Sequence, residues 1–513
     1  MSRLGSKKLL FLGLVWLGLA FGGMISPAFA SDPSGASTGT ISDVAAATVG
    51  APTLEEVGAQ AGHNKVSINI MWTLLTGFLV MFMQAGFAMV ETGFCQAKNA
   101  AHTMAMNFMV YPIGMLGFWI CGFAFMFGGV GAIGALGGGT AALDHEVVLH
   151  LFGKDFGVFG TKGFFLAGTS YDAAIYTLFL FQMVFMDTTC TIPTGAMAER
   201  WKYSAFFVYG FFISMIVYPI FGNWVWGGGW LAMLGKNFGL GHGHVDFAGS
   251  SVVHLVGGVA ALAGAIVLGP RQGKFNKDGS PNAIPGHNIP MAIIGTFILA
   301  FGWFGFNPGS TLAGTDLRIG VIATNTMLAG TGGALVATLY MWFRFGKPDP
   351  SMMCNGLLAG LVAITAPCAF VNSISAVIIG CISGWLVVEA VFFVEKVLKV
   401  DDPVGAVAVH GVNGAWGVIS LGLFADGTYG DGWNGVAGNV KGLFYGDSSQ
   451  LIAQSIGTLT CFIFVFALMF TFFKIYHSIF GMRVLSTVER DGLDIPEVGV
   501  VAYYDELSSL PLK

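Results

Sequence analysis

One apolar stretch of the chain reads FAGSSVVHLVGGVAALAGAIVLG from Phe247 to Gly269, and His254 is the single ionisable residue within it. A transmembrane helix needs about 20 predominantly apolar residues. An ionisable side chain inside such a helix is costly and usually faces a cavity or a partner. The stretch is therefore predicted to cross a membrane and to carry one buried imidazole.

The six residues around this histidine have a second copy. They read VHLVGG at 253–258 and VHGVNG at 409–414, so both copies follow the pattern V-H-x-V-x-G. The copies lie in the fifth and the tenth apolar span, and five spans of separation give the second copy the opposite orientation. Inverted repeats of this kind place the functional site near the pseudo-two-fold axis. We therefore expect His254 and His410 to meet.

The whole chain is predicted to be an all-α integral membrane protein. Eleven apolar stretches are long enough to span a bilayer, and they make two inverted five-helix repeats and an eleventh helix within residues 66–479. The approximate bounds of the spans are 68–93, 104–128, 173–197, 204–226, 247–269, 289–307, 319–343, 353–371, 374–397, 404–424 and 450–479.

The composition excludes most soluble classes. Of the 513 residues, 55% are hydrophobic and 10% are charged, whereas a soluble domain is about 25% charged. A soluble enzyme is thus disfavoured, and we expect no enzymatic activity. The net charge of -5 and the lack of a basic run give no indication of nucleic-acid binding. The 76 glycines suit closely packed transmembrane helices.

The first thirty residues have the pattern of a secretory signal peptide. A cationic start with Arg3 is followed by the apolar run 9–24, and Ala28-Phe29-Ala30 provides a small-x-small cleavage site. An uncleaved membrane helix is the alternative. Cleavage would put the mature N-terminus outside, and residues 31–65, rich in Ser, Thr, Ala and Gly, are predicted to be a mobile outer segment.

The loop charges agree with this orientation, because inner loops of membrane proteins carry more Lys and Arg than outer loops. With the N-terminus outside, ten cationic residues fall in predicted inner loops and five in outer loops. The inner set is Lys98, Arg200, Lys202, Arg271, Lys274, Lys277, Arg344, Lys347, Lys396 and Lys399, and the outer set is Lys154, Lys162, Lys236, Arg318 and Lys441. We expect the inner (plasma) membrane and a cytoplasmic C-terminus.

Two segments outside the spans are long. The outer connection 129–172 is Gly-rich at its start and is expected to be a plain connector, with a lid or a partner surface as the alternative. Residues 480–513 are polar and are predicted to be a cytoplasmic tail, too short for an enzymatic domain.

Three roles are open for His254 and His410. They are structural histidines in hydrogen bonds, ligands of a haem, or the lining of a pore for a species that exchanges protons. Imidazole titrates near neutrality and both donates and accepts, which suits the third role. The repeat favours the pore, because it places both rings on one axis.

A third and a fourth histidine, His242 and His244, stand close to Asp246 in the sequence. The stretch around them is Gly-rich and offers no fixed ligand geometry, so we expect no metal there. No cofactor is expected elsewhere in the chain.

Several motifs resemble those of the Amt/Mep/Rh ammonium transporter family, on its Amt branch and of a prokaryotic type with a signal peptide. The most specific are DFAGSSVVH at 246–254 and GWFGFNPGS at 302–310. GAMAER at 195–200, DDP at 401–403 and GLD at 492–494 stand in the same order as in the family. The resemblance covers residues 66 to about 505 and implies ammonium transport.

The resemblance also implies roles for residues at the outer side. Phe185, Trp226 and Ser310 match the vestibule that recruits ammonium. An ammonium ion against aromatic faces gains about 0.5–2 kcal/mol, and a hydroxyl accepts one of its hydrogen bonds. Phe185 and Phe306 match the two stacked phenylalanines below the vestibule, and Phe181 adds to the same wall.

The pore beyond the phenylalanines matches His254 and His410, with Trp303 beside them. Asp246 matches the essential aspartate of the family. We expect it to cap backbone amides at the start of the fifth span and to lower the potential of the vestibule. Direct contact with the ion is its alternative role.

Three positions depart from the family pattern. Asp187 follows Phe185 by two residues, where many relatives are apolar or small; pairing with Thr188 or Thr191 and a change in ion attraction are both open. Gly405 replaces a carboxylate of many bacterial relatives. Pro496 stands at the phosphorylated threonine of plant relatives, so that switch cannot operate.

The resemblance implies ammonium or ammonia as the substrate, with methylammonium as a possible second one, a role in nitrogen uptake, and a homotrimer. A PII-type regulatory protein is the expected partner of the cytoplasmic tail. The alternative function is an ammonium sensor with little or no transport that acts through the C-terminal tail.

Overall fold

A computed structural model describes residues 44–128, 134–136 and 146–503. The predicted signal peptide 1–30, the first part of the outer segment, most of 129–145 and the last ten residues of the tail lie outside the described residues.

Helices dominate the described chain, and ten of them there are long and apolar enough to cross a membrane. The protein is a multi-pass membrane protein. A shorter apolar helix, α8, brings the number of apolar helices in the described chain to eleven. The bounds are Leu54–Phe94 (α1), Ala97–Phe127 (α2), Ala173–Met197 (α3), Tyr203–Val225 (α4), Ser250–Leu268 (α5), Ile289–Gly309 (α6), Ile319–Phe345 (α7), Pro350–Ile364 (α8), Ser373–Lys396 (α9), Val407–Phe424 (α10) and Ser448–Phe480 (α11).

Helix α8 ends well before the predicted limit at 371. Pro367 has no amide hydrogen to donate to the preceding turn, which favours an end at this point. The freed carbonyl groups are used, because Thr365 O accepts from Ala248 N at 3.2 Å and Ala366 O accepts from Phe247 N at 3.3 Å. The early end of α8 therefore fixes the approach to α5.

The connection between α2 and α3 contains a β-hairpin that the sequence analysis did not predict. Its antiparallel strands are Glu146–Leu151 (β1) and Lys154–Gly160 (β2). The hairpin is bonded to the end of α4 and the following loop, since Trp224 Nε1 donates to Val158 O at 2.9 Å and Trp230 N donates to Gly157 O at 3.0 Å. The hairpin thus lies beside the loop that carries Trp226.

Small residues let helices approach closely, as expected in membranes. Gly356 and Gly360 form one small-x-x-x-small pair on α8, and Gly380 and Gly384 form another on α9. A Cβ atom at Gly360 would stand 2.3 Å from Ala329 O of α7, and one at Gly380 would stand 2.1 Å from the same oxygen. Helix α7 is therefore held between these two glycine faces.

The two histidine-bearing helices, α5 and α10, also meet through glycine. A Cβ atom at Gly258 would stand 2.1 Å from Gly411 N, whereas a Cβ atom at Gly411 would have ordinary contacts at 3.5 Å and beyond. A side chain at Gly258 would therefore clash with the backbone of α10, whereas a side chain at Gly411 would fit.

Gly258→Ala is expected to destabilise the protein strongly, because its methyl group would meet rigid backbone. Gly411→Ala is the matched control and is expected to keep stability within about 1 kcal/mol of wild type. Thermal unfolding of the two variants in detergent measures the difference. Equal melting temperatures for the pair would contradict the asymmetric contact.

Candidate functional site

Both histidines lie on π-helical turns. Residues 250–255 at the start of α5 and residues 407–412 at the start of α10 are wound as π-helix. Such turns are rare and occur frequently at functional sites. The second copy of the sequence repeat therefore has the same unusual backbone as the first.

The two rings form a pair. His254 Nδ1 lies 3.1 Å from His410 Nδ1, and the ring centroids are 5.2 Å apart. Both residues are buried. One Nδ1 must donate and the other must accept, so the geometry holds a single proton between the rings.

Aromatic rings enclose His254. Its ring stacks on Trp303 and on Phe306, each with a centroid distance of 5.4 Å. Its Nε2 is buried with no hydrogen-bond partner among the described residues. A buried polar atom without a hydrogen-bond partner is unfavourable. This nitrogen can therefore bind a small molecule that forms hydrogen bonds.

A stack of phenylalanines lies on the other side of Phe306. The centroid of Phe185 is 4.2 Å from that of Phe306 and 4.7 Å from that of Phe181. All three rings are fully buried. The apolar rings of Phe185 and Phe306 thus lie directly beside the His254 ring.

Trp226 and Ser310 lie beyond the stack and are partly exposed. The Trp226 ring meets Phe185 edge to face at 6.1 Å, and its Nε1 donates to Asp246 O at 2.6 Å. The Ser310 hydroxyl donates to Phe306 O at 2.7 Å, which leaves its oxygen lone pairs available. Ring contacts thus connect Trp226, Phe185, Phe306, His254 and His410 in succession.

Asp246 is saturated with hydrogen bonds. Its carboxylate accepts the backbone N–H groups of residues 249–252 at 2.7–3.0 Å and the Ser251 hydroxyl at 2.6 Å. Ser251 in turn accepts from His244 Nε2 at 2.9 Å. Burial lowers the pKa of His244 to about 4, which favours its neutral form. The aspartate therefore caps α5 and fixes the turn that carries His254.

The comparisons with known proteins agree with this geometry. A sequence profile described as the Ammonium Transporter Family matches residues 71–503. The chain belongs to this family. It is 46% identical over 456 residues to the ammonium transporter Amt2 of Archaeoglobus fulgidus, which covers 88% of this chain and 91% of the relative.

Solved structures of the ammonium transporter family also match the fold. A sensor Amt protein is 36% identical with a TM-score of 0.74, covering 85% of this chain and 99% of that one. Mep2 of Candida albicans is 27% identical with a TM-score of 0.70, covering 87% of this chain and 93% of that one. The predicted family and helical membrane fold are thereby confirmed.

Asp187 forms no hydrogen bond with Thr188 or Thr191, which was one of the two interpretations left open by the sequence. The Thr188 hydroxyl donates to Val184 O at 3.1 Å and the Thr191 hydroxyl donates to Asn107 Oδ1 at 2.9 Å. Asp187 Oδ1 has no hydrogen-bond partner among the described residues. The pairing with these two threonines was therefore wrong, because both hydroxyls are used elsewhere.

The backbone conformation at position 405 explains why this chain has a glycine there. Its φ is +79°, a conformation that side chains rarely adopt, and a Cβ atom would stand 2.9 Å from Asn355 Nδ2. The carboxylate of bacterial relatives would not fit here without a local rearrangement.

A buried charge network joins the chain after α3, α5 and α9. Arg271 binds both oxygens of Asp401 at 2.8–2.9 Å and also pairs with Glu199. Burial acts to raise the pKa of Asp401, but Arg200 and Arg271 hold it well below its usual range. The GAMAER and DDP motifs are thus joined by ion pairs.

The tail is docked on α2. Asp494 accepts from Ala101 N at 3.1 Å and His102 N at 2.9 Å, and Lys98 Nζ donates to the carbonyl groups of Glu489 and Arg490. The described part of the tail therefore contacts the N-terminal end of α2.

One buried group was missed as a candidate. Glu91 is a carboxyl group within an apolar span, and the sequence analysis did not single it out. Asn107 Nδ2 donates to its Oε2 at 2.7 Å, and the Thr194 hydroxyl lies 2.7 Å from the same oxygen. The signal in the sequence was the same as for His254, an ionisable residue inside a span.

Proposed function

We propose that this membrane protein transports ammonium by separating the ion into ammonia and a proton. Phe185, Trp226 and Ser310 recruit the ion, the Phe185–Phe306 stack excludes its hydrated form, and ammonia passes the imidazole pair. The observation that carries the proposal is the 3.1 Å contact between His254 Nδ1 and His410 Nδ1, directly behind the buried aromatic rings of Phe185 and Phe306.

Desolvation is the reason for deprotonation. The penalty for moving an ion out of water into a protein interior is several kcal/mol or more. Ammonia has no net charge and still forms hydrogen bonds. Potassium cannot lose a proton, so the same barrier rejects it.

The histidines provide a separate route for the proton. When His254 Nδ1–H donates to His410 Nδ1, His254 Nε2 has a free lone pair. A proton that binds there allows the Nδ1 proton to move to His410, whose Nε2–H then releases a proton on the far side. One proton enters and one leaves, and Trp303 and Phe306 keep bulk water away from the line.

The assembly and setting follow the resemblance. The protein acts as a homotrimer in the inner membrane, with the mature N-terminus outside and the C-terminus cytoplasmic, and serves nitrogen uptake. Residues 1–30, 31–65, 66–479 and 480–513 are its signal peptide, outer segment, transport domain and tail. A PII-type protein binds at the cytoplasmic face.

The test is a current measurement on proteoliposomes adsorbed to a supported membrane. An ammonium jump is expected to give a current, and a potassium jump is expected to give none. Methylammonium is the second substrate to apply. The absence of current together with alkalinisation of a pH dye inside the vesicles would contradict the proton route and favour neutral ammonia conduction.

An ammonium sensor is the second candidate, favoured by the 36% identity to a sensor Amt protein. The sensor reading predicts ammonium binding by calorimetry with neither current nor dye response. A current from wild-type protein decides against it.

Trp226→Leu and Ser310→Ala are expected to weaken recruitment. In Trp226→Leu, loss of a cation–π contact worth about 0.5–2 kcal/mol raises the half-saturating ammonium concentration about 2- to 30-fold. In Ser310→Ala, the ion loses one hydrogen-bond acceptor, and the half-saturating concentration rises for that reason. Trp119→Leu is the control, because Trp119 lies on the outer surface of α2. Unchanged half-saturation in both vestibule variants would contradict their role.

A further inference from the structure

A narrow cavity lies beyond the imidazole pair. Eleven residues line it, and three of them have polar side chains, namely Glu91, Asn355 and His410. Its size allows about one water molecule. The cavity therefore joins the last histidine of the pore to a carboxyl group that the transport mechanism above does not use.

The position of Glu91 follows from helix geometry. The Phe87 ring lies 6.0 Å from the His410 ring, and Phe87 also lines the cavity. Glu91 is four residues later on α1, so it lies on the same face one turn further along. Nδ1 of His410 faces His254, which leaves Nε2 for the cavity.

The carboxyl group is held in one orientation. Asn107 Nδ2 donates to Oε2 at 2.7 Å, and the Thr194 hydroxyl lies 2.7 Å from the same oxygen and 2.6 Å from Thr191 O, the alternative acceptor of its single proton. Asn107 is itself fixed, because its Oδ1 accepts from the Thr191 hydroxyl at 2.9 Å. Oε2 is thus kept as an acceptor, and Oε1 is the oxygen that would carry a proton.

The third polar residue of the lining is already engaged. Asn355 Nδ2 donates to Val404 O at 3.3 Å. Glu91 has no ion pair with a cation among the described residues. Burial of a carboxyl group without a cation costs free energy. A glutamine would accept hydrogen bonds from the same two side chains. Hydrogen bonding alone therefore does not explain why position 91 carries an ionisable group.

A second cavity continues from the same segment. Val404 and Ala406 line the first cavity, and Gly405 and Ala408 line the second, together with Asp402, Lys274 and Glu395. The second cavity is therefore flanked by the same segment as the first and is lined by charged side chains.

We propose that Glu91 is the inner proton acceptor of the relay, a role that rests on the proposed function. The proton on His410 Nε2 passes through water in the cavity to Glu91 Oε1. Glu91 then releases it towards the second cavity and returns to the carboxylate form. Ammonia leaves the pore without needing this group.

The experiment compares wild type with Glu91→Gln and Glu91→Asp in the same proteoliposomes, measuring ammonium-evoked current and dye-reported ammonia flux. Glu91→Gln is expected to lose about tenfold or more of the current while ammonia flux persists. Glu91→Asp is expected to keep a measurable current. Glu389→Gln is the matched control, since Glu389 pairs with Arg344 outside the cavity, and it is expected to behave as wild type.

The outcomes separate the two proposals. No current from wild type overturns the relay and, with it, the role of Glu91. A wild-type current that Glu91→Gln retains overturns the role of Glu91 alone. If Glu91→Gln loses both signals, a current restored by Glu91→Asp supports the carboxyl requirement, and loss of both signals in Glu91→Asp overturns it in favour of a packing role.

Discussion

His254→Ala and His410→Ala are each expected to abolish selective ammonium transport. Removal of either ring opens the 3.1 Å contact between the two Nδ1 atoms and leaves the proton without a line to follow. Loss of a positioned proton-transfer group typically lowers a rate by about 10²- to 10⁴-fold. The ammonium-evoked current from proteoliposomes is the measurement.

The double variant provides the sharper test. Removal of both rings leaves a void beside Trp303 and Phe306 that water can enter, so any residual current is expected to be unselective and to include potassium. Phe108→Ala, on an exposed surface of α2, is the control for expression and folding. Full transport that still excludes potassium in the double variant would refute the histidine relay.

Asp246→Ala is expected to have the largest effect on stability. The change leaves four backbone N–H groups and one hydroxyl without their acceptor in a buried site. A buried donor left unpaired costs about 1–3 kcal/mol, so several together approach the whole stability of a domain. We expect poor recovery of folded protein, measured by size-exclusion chromatography in detergent.

Asp172→Ala is the matched control for this change. Asp172 also caps a helix, with Ala174 N at 2.8 Å and Ile175 N at 3.2 Å, but it is exposed. Its removal is expected to cost about 1 kcal/mol. Similar recovery of the Asp246 and Asp172 variants would contradict the structural role of Asp246.

The sequence repeat predicted the most specific feature of the site. Two copies of V-H-x-V-x-G in oppositely oriented spans indicated that His254 and His410 would meet, and the two rings do meet. The reason is general, since an ionisable residue in an apolar helix needs a partner and an inverted repeat supplies one on the axis.

Other features had no signal of that kind. Hydropathy measures only the length of an apolar stretch, so it placed the end of α8 at 371. The helix ends at Ile364, because Pro367 lacks an amide hydrogen and the carbonyl groups of Thr365 and Ala366 accept hydrogen bonds from the segment before α5. Apolar periodicity does not distinguish the π-helical winding at the two histidines from ordinary α-helix. The hairpin of β1 and β2 lies in a connection that apolar periodicity cannot describe.

The proton route proposed above has an energetic consequence for the cell. Two N–H groups cannot point at each other across 3.1 Å, so the contact between the two Nδ1 atoms holds one proton at a time. If one proton follows this route for each ammonia molecule, each ammonium would move one elementary charge through the membrane potential, which is worth about 2.3 kcal/mol per 100 mV. At that voltage such a transporter would sustain about a fiftyfold accumulation of ammonium without ATP. A neutral ammonia channel would sustain none.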